Sequence, residues 1–317
     1  YGDCKGMSCL LVNLMDAAHI PASLTWIGSR EIPYRYDSVP SPAVDDHMIV
    51  VYDPEKTCLV LDATDSDLPF GMPTFFIQGN TMMIGLDSTR HLLREVPVMP
   101  ASANVETDTT LLRIDGNGLV GSATTWYSGY KRSGMASLLH RVKPERHQEL
   151  LRAVLERGNN KFTITGFTIA NDNDRQKDLR ITCDLAIGDI VQRGNKELYV
   201  DLNLLRPWND RNYKADRTVA VENSYANTHR QVTEIEVPAG YTVGWLPDPV
   251  KLDDPRFAYS IAYEEVPAST GTPHMVRCRS EFTEHKLMLE GGDTTAWRDM
   301  IKQLRVELDR SIVLKEQ

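Results

Sequence analysis

The sequence predicts an α+β fold in two parts: a small portion in which one helix precedes a set of strands, and a larger, mainly β, sandwich-like portion that carries two helices. Three observations predict it. Apolar residues recur at three-and-four spacing from Met7 to Ala18 and then give way to alternating, β-branched runs. Over residues 96–108, Pro97, Pro100 and several small residues interrupt both patterns. From Thr110 onward, short strand-like runs follow one another with turn residues between them, the pattern of a sandwich. The expected organisation is a first domain over 1–95, a linker over 96–108 and a second domain over 109–317.

In the first part, Asp3 is a good N-cap for a helix from Cys4 to about Ala18. Its stripe of Met7, Leu11, Leu14, Met15 and Ala18 is expected to be buried, and His19-Ile20-Pro21 ends it. Cys4 therefore lies near unpaired backbone N–H groups and the positive end of the helix dipole, where a thiolate is stabilised; the alternative is a packed cysteine. Residues 22–28 read as a short strand. The Pro-, Ser- and Tyr-rich loop 32–46 leads to His47, so Trp26, Tyr34 and Tyr36 either line a cleft or pack the loop down. Residues 47–52 and 57–62 read as two strands around the turn Asp53-Pro54-Glu55-Lys56. A loop centred between Pro54 and Glu55 pairs Tyr52 with Thr57, and hence sets His47 directly opposite Asp62 on one face. A cysteine at a helix start with a histidine oriented by an aspartate is the constellation of an activated nucleophile. Beyond Leu68-Pro69-Phe70-Gly71-Met72-Pro73, residues 75–77 and 82–84 are expected to form two strands around Gln78-Gly79-Asn80.

These residues resemble the transglutaminase-like superfamily of papain-like cysteine enzymes. Gly2-Asp3-Cys4 matches the glycine-x-cysteine that opens the helix, and His19-Ile20-Pro21-Ala22 matches its exit. His47-Met48-Ile49 matches the strand that begins with histidine, with Met-Ile where Ala-Trp is usual, and Asp62-Ala63-Thr64 matches the strand end, with Ala where Pro is usual. The order Cys, His, Asp agrees as well. The resemblance spans about residues 1–90 and implies a partial papain-like core with Cys4 as nucleophile, His47 as acid and base, and Asp62 as its orienting partner. It implies a peptide or protein substrate, no cofactor, and a periplasmic, envelope or secreted location. It also implies helices and a second oxyanion donor upstream of Cys4, so the chain is expected to be a fragment. The reaction it implies is thiol-dependent acyl transfer at an amide, with hydrolysis favoured because no amine site is readable. Amine cross-linking, or a dormant envelope or surface binding protein, are the alternatives. The second part is similar to the β-sandwich domains that accompany such cores in bacterial envelope proteins.

In that second part, residues 110–114 and 119–127 are expected to form a hairpin. Its turn contains Gly116-Asn117-Gly118-Leu119-Val120-Gly121, which matches a dinucleotide fingerprint in letters only, because a Thr-rich strand and not a helix follows. A helix over 134–157, broken near Pro144, is expected to bury Leu138, Leu139, Val142, Leu150, Leu151 and Leu155. Strands are expected over 161–169, 179–187, 197–205, 232–237, 242–246, 257–264 and 274–282. A last helix opens at Asp293 or Thr294, and its stripe of Trp297, Met300, Ile301, Leu304 and Leu308 is expected to cover a sheet face.

Composition bounds the partners. The chain has 317 residues, 41% hydrophobic and 25% charged, enough for a core without staples. A net charge of −9 without a basic stripe argues against nucleic acid and against an anionic membrane surface. The absence of an 18-residue apolar run predicts no membrane-spanning segment. The five cysteines, at 4, 9, 58, 183 and 278, form no Cys-x-x-Cys pair, and Cys9 and Cys58 are expected to be small core residues. No metal site is expected, since the histidines show no His-Glu-x-x-His or zinc spacing. His140 and His147, seven apart on a helical pattern, are expected on a solvated face. Oligomeric state is not readable.

Overall fold

The computed structural model describes residues 2–39, 41–157, 159–214, 217–271 and 273–317. Tyr1, ahead of the first helix, and Pro40, in the loop before His47, lie outside them. The fold is α+β, in two compact units, Tyr1–Met99 and Pro100–Gln317.

The first unit consists of α1 (Cys4–Ala17) and strands β1 (Ala22–Ile27), β2 (His47–Tyr52), β3 (Leu59–Leu61), β4 (Thr81–Gly85) and β5 (His91–Glu95). They form one antiparallel sheet in the order β3-β2-β1-β4-β5. Asp3 caps α1 by accepting from Gly6 N at 3.0 Å, and the helix ends with His19 at φ 57 and Ile20 N donating to Met15 O. The expected buried stripe is only half realised. Met7, Leu11 and Met15 are partly covered, Leu14 is 60% exposed, and the one fully buried residue of the helix is Ser8. Its hydroxyl donates to the Met48 carbonyl at 2.9 Å and ties α1 to β2.

One face of the sheet carries Ile27, Ile49, Val51, Val60, Met82 and Ile84, which pack with Ile77 and Val96. Side chains of α1 are not part of that cluster, so the helix lies on the other face, over Met48 and Val50. Two expectations need correction here. Residues 75–77 form a single 3-10 turn and not a strand, with Gln78 Nε2 donating back to Phe75 O. Tyr52 pairs with Leu59 and not with Thr57. The loop is longer because Asp53 organises it: its carboxylate accepts from Thr57 N and Oγ1, its carbonyl from Cys58 N, and Asp53 and Cys58 both take positive φ.

The second unit begins inside the expected linker. β6 (Val105–Asp115) and β7 (Gly118–Tyr127) form the hairpin, turning through Gly116 at φ 59. There follow α2 (Gly129–Arg141), α3 (His147–Val154), β8 (Phe162–Ala170), β9 (Leu179–Ile187), β10 (Val191–Arg193), β11 (Glu197–Val200), β12 (Val221–Glu222) and β13 (Asn227–Glu236). The remainder is β14 (Tyr241–Trp245), β15 (Val250–Asp253), β16 (Phe257–Val266), β17 (Met275–Glu284), β18 (Met288–Leu289), α4 (Gly291–Leu308) and β19 (Ile312–Glu316). An eight-stranded sheet, β15-β16-β17-β13-β6-β7-β9-β8, is antiparallel except where β13 runs parallel to β6. It shares one apolar core with the four-stranded sheet β10-β11-β19-β14 and with α4, whose Trp297, Met300, Ile301, Leu304 and Leu308 are all buried. The expected break near Pro144 separates α2 from α3. His147 is not solvated as expected, because its Nε2 lies 3.1 Å from both Leu139 O and Val142 O at the end of α2. Among the described residues, no helix is long and apolar enough to cross a membrane.

Candidate active site

His47 opens β2, and the two acids before it fix how the chain enters the strand. Asp46 accepts from Ser29 N at 2.7 Å and from Ser29 Oγ at 2.8 Å, while Asp45 accepts from Tyr36 OH at 2.6 Å. Tyr36 thus packs the loop down, and burial together with Asp45 pushes its hydroxyl pKa up. Tyr34 remains exposed and Trp26 is half-buried.

His47 Nε2 lies 2.7 Å from Asp62 Oδ2, with 9% of the histidine side chain and none of the aspartate's exposed. Asp62 is held from three further sides. Thr64 donates N–H at 2.9 Å and Oγ1 at 2.6 Å to Oδ1, and Thr74 Oγ1 donates at 2.9 Å to Oδ2. Burial pushes the Asp62 pKa up, but the hydrogen bonds from His47 and Thr64 outweigh it and leave the pKa below its ordinary value. An ionised carboxylate only accepts, so Nε2 carries a proton and Nδ1 is the nitrogen free for acid–base work. The Phe76 ring stands edge-on to the imidazole, with centroids 5.2 Å apart. Thr74 and Phe76 were not found by sequence reasoning; Phe76 lies in the segment read as a strand and Thr74 just before it, and no spacing rule links them to His47.

Cys4 is the first helical residue of α1 and is partly exposed. The Asp3 carboxylate beside it is occupied as the cap. The path of the chain sets its level: α1 leaves through Pro21 into Ala22, which pairs with Tyr52, while Ile27 pairs with His47. Fourteen helical residues at about 1.5 Å rise and six strand residues at about 3.3 Å both span about 20 Å. The start of α1 therefore returns to the end of the sheet where β2 begins. The structure brings His47 and Asp62 into contact and Cys4 to the same end of the sheet; among the described residues, no hydrogen bond joins Cys4 to His47.

The other thiols divide by burial. Cys9 is exposed and not a core residue as expected, because it lies on the outer side of α1; Cys58 is half-buried, and Cys183 and Cys278 are buried. Among the described residues, no group of three His, Cys, Asp or Glu side chains stands together as metal ligands would.

The chain is similar in fold to the crystal structure of a putative protease from Parabacteroides distasonis ATCC 8503, with a TM-score of 0.51 and 10% identity. The likeness covers 99% of this chain and 44% of that one, so the chain spans less than half the length of that protein. No family model matches the chain, and no curated protein matches it.

Proposed function

We propose that the first unit is a thiol-dependent amide hydrolase of the transglutaminase-like kind, acting on peptide or protein substrates in the cell envelope or outside the cell. The observation that carries this reading is the buried His47–Asp62 pair, which fixes one tautomer and leaves Nδ1 as the working nitrogen. Cys4, in the first turn of α1, is the nucleophile. The fold shared with a protein described as a protease supports the same class of chemistry.

In the proposed reaction, Nδ1 takes the Cys4 proton and the thiolate attacks the amide carbonyl. The same Nδ1–H then protonates the leaving amine, giving a thioester. Water, deprotonated by Nδ1, releases the acid. The Cys4 backbone N–H is one donor to the oxyanion. Because α1 and His47 lie on opposite faces of the sheet, the thiol reaches the imidazole round the end of β2, where His47 is the first strand residue.

Amine release from a peptide library by the full chain tests this. Cys4→Ala should lower turnover by at least about 10³-fold, as loss of a nucleophile does, while Cys9→Ala leaves it intact. Labelled-amine incorporation outpacing hydrolysis would reassign the reaction to cross-linking. A folded chain without turnover on any such substrate would make the unit a dormant binding scaffold.

A further inference from the structure

The second unit holds a cluster of titratable groups that the proposed hydrolase does not use. Glu106 on β6 and His229 on β13 are register partners on adjacent parallel strands, so their side chains leave the sheet on one face. Lys131 comes down onto them from the first turn of α2. Its Nζ lies 2.8 Å from His229 Nε2 and 3.2 Å from Glu106 Oε2, and Glu106 Oε2 lies 3.4 Å from His229 Nδ1. The start of α2 is held in place for this. Gly129 takes φ 55, and Tyr130 N donates to Asn104 Oδ1 at 3.0 Å.

Lys131 and His229 line a small pocket of about 150 Å³ together with Arg211, Asn223, Asn227 and Glu284. That is room for about five waters at about 30 Å³ each. Across the pocket, Glu284 is neutralised by Arg211 and accepts from Asn227 Nδ2 at 3.1 Å. Glu106 does not line the pocket but touches both Lys131 and His229, which do.

We infer that Lys131 is a reactive amine and that this pocket takes a small polar carbonyl compound, held as a Schiff base on Nζ. The arrangement is that of a base-activated nucleophile with an amine in place of a hydroxyl or thiol. His229 Nε2 accepts a proton from the ammonium, and Glu106 stabilises the imidazolium that results. The freed Nζ lone pair forms a C–N bond to the carbonyl carbon. The carbonyl oxygen takes one proton from the attacking nitrogen and a second from the His229 imidazolium and leaves as water, so that a protonated C=N bond remains. No electrons are gained or lost. Burial pushes the Lys131 pKa down, more than Glu106 pushes it up, which also favours the free amine. The polar walls match a ligand that carries a hydroxyl or a carboxylate beside its carbonyl.

Reductive trapping of the full chain tests the inference. The protein is treated at pH 7 with cyanoborohydride and either glyoxylate or glycolaldehyde, and the modified lysines are mapped by peptide mass spectrometry. Lys131 should be modified faster than the exposed Lys56, Lys251 and Lys302 by at least about tenfold, since a base positioned on the nucleophile contributes about 10²-fold or more. His229→Gln should bring Lys131 down to the rate of the others, and Lys131→Arg should remove the adduct. Fast reaction with either probe supports the site. If Lys131 reacts with both probes no faster than exposed lysines in the wild-type chain, the cluster is a structural ion network and the inference is overturned, whatever the variants do.

Discussion

Asp62 reaches His47 on the diagonal. Carried one residue past β3, the strand register sets Asp62 level with Ile49, two residues from the histidine it binds. A diagonal neighbour on one sheet face is farther off than a direct one, and the long imidazole spans the difference. Thr64 and Thr74 then hold the carboxylate where the ring can meet it.

Asp62 should make the first unit acid-sensitive in a defined sense. Its folded pKa is depressed, so its contribution to stability is complete above the unfolded aspartate value of about 3.9 and is lost as pH falls through the lower folded value. Asp62→Asn should cost about 1–3 kcal/mol at neutral pH and flatten the acid limb of stability. Urea midpoints between pH 2 and 7 measure this, and a variant with the wild-type slope would contradict it.

What the sequence could show follows from how local each signal is. Leu179–Ile187 alternates buried and open positions, and α4 repeats its apolar residues at helical spacing, so both were legible. In α1 the same spacing failed to predict burial, since Leu14 is 60% exposed and Ala18 is exposed as well. Periodicity says which residues share a face, not whether a neighbour covers it. The register slipped by two residues because the Asp53 loop was read too short, yet His47 and Asp62 still met, because a slip of two preserves the face. Residues 105–108 read as linker because they continue the run that holds Pro97, Pro100 and several small residues, yet Asp108 is buried within β6. Its partner is Arg157, 49 residues away, and no local pattern reveals that.

The thiols should separate by reactivity. Burial pushes the Cys278 pKa up to about 12 and also raises that of Cys183. A brief iodoacetamide pulse at pH 8 should label Cys9 readily. Cys183 and Cys278 should react at least about 100-fold more slowly, since they need unfolding first. Equal labelling of Cys9 and Cys278 in the native chain would refute their placement.

Arg157 and Asp108 form an ion pair with 2% and 3% of their side chains exposed, 3.0 Å apart, and Thr110 and Thr125 donate to the same carboxylate. Arg157→Ala leaves that charge buried without its counter-ion and should cost about 3–5 kcal/mol. Adding Asp108→Asn should recover part of the loss. Denaturant unfolding of the two variants decides it; a single variant within error of wild type would exclude the pair as described.

Gly129 is a second sensitive point. A Cβ there would lie 2.2 Å from Ala103 O and 2.3 Å from Asn104 Oδ1, at φ 55. Gly129→Ala should destabilise by about 2 kcal/mol or more and, by moving the start of α2, slow the trapping of Lys131. Calorimetric melting together with the labelling assay checks both effects.

The parallel pairing of β6 with β13 has a consequence for synthesis. Val105 meets Thr228, so β6, the first strand of the second unit, must wait for more than a hundred further residues to leave the ribosome before its outer edge is paired. Until then the outer edge of β6 is bare, able to pair with any other extended chain nearby. Closing so long a loop is slow. A product terminated between β9 and β13 would therefore be lost to aggregation rather than accumulate as a smaller folded domain.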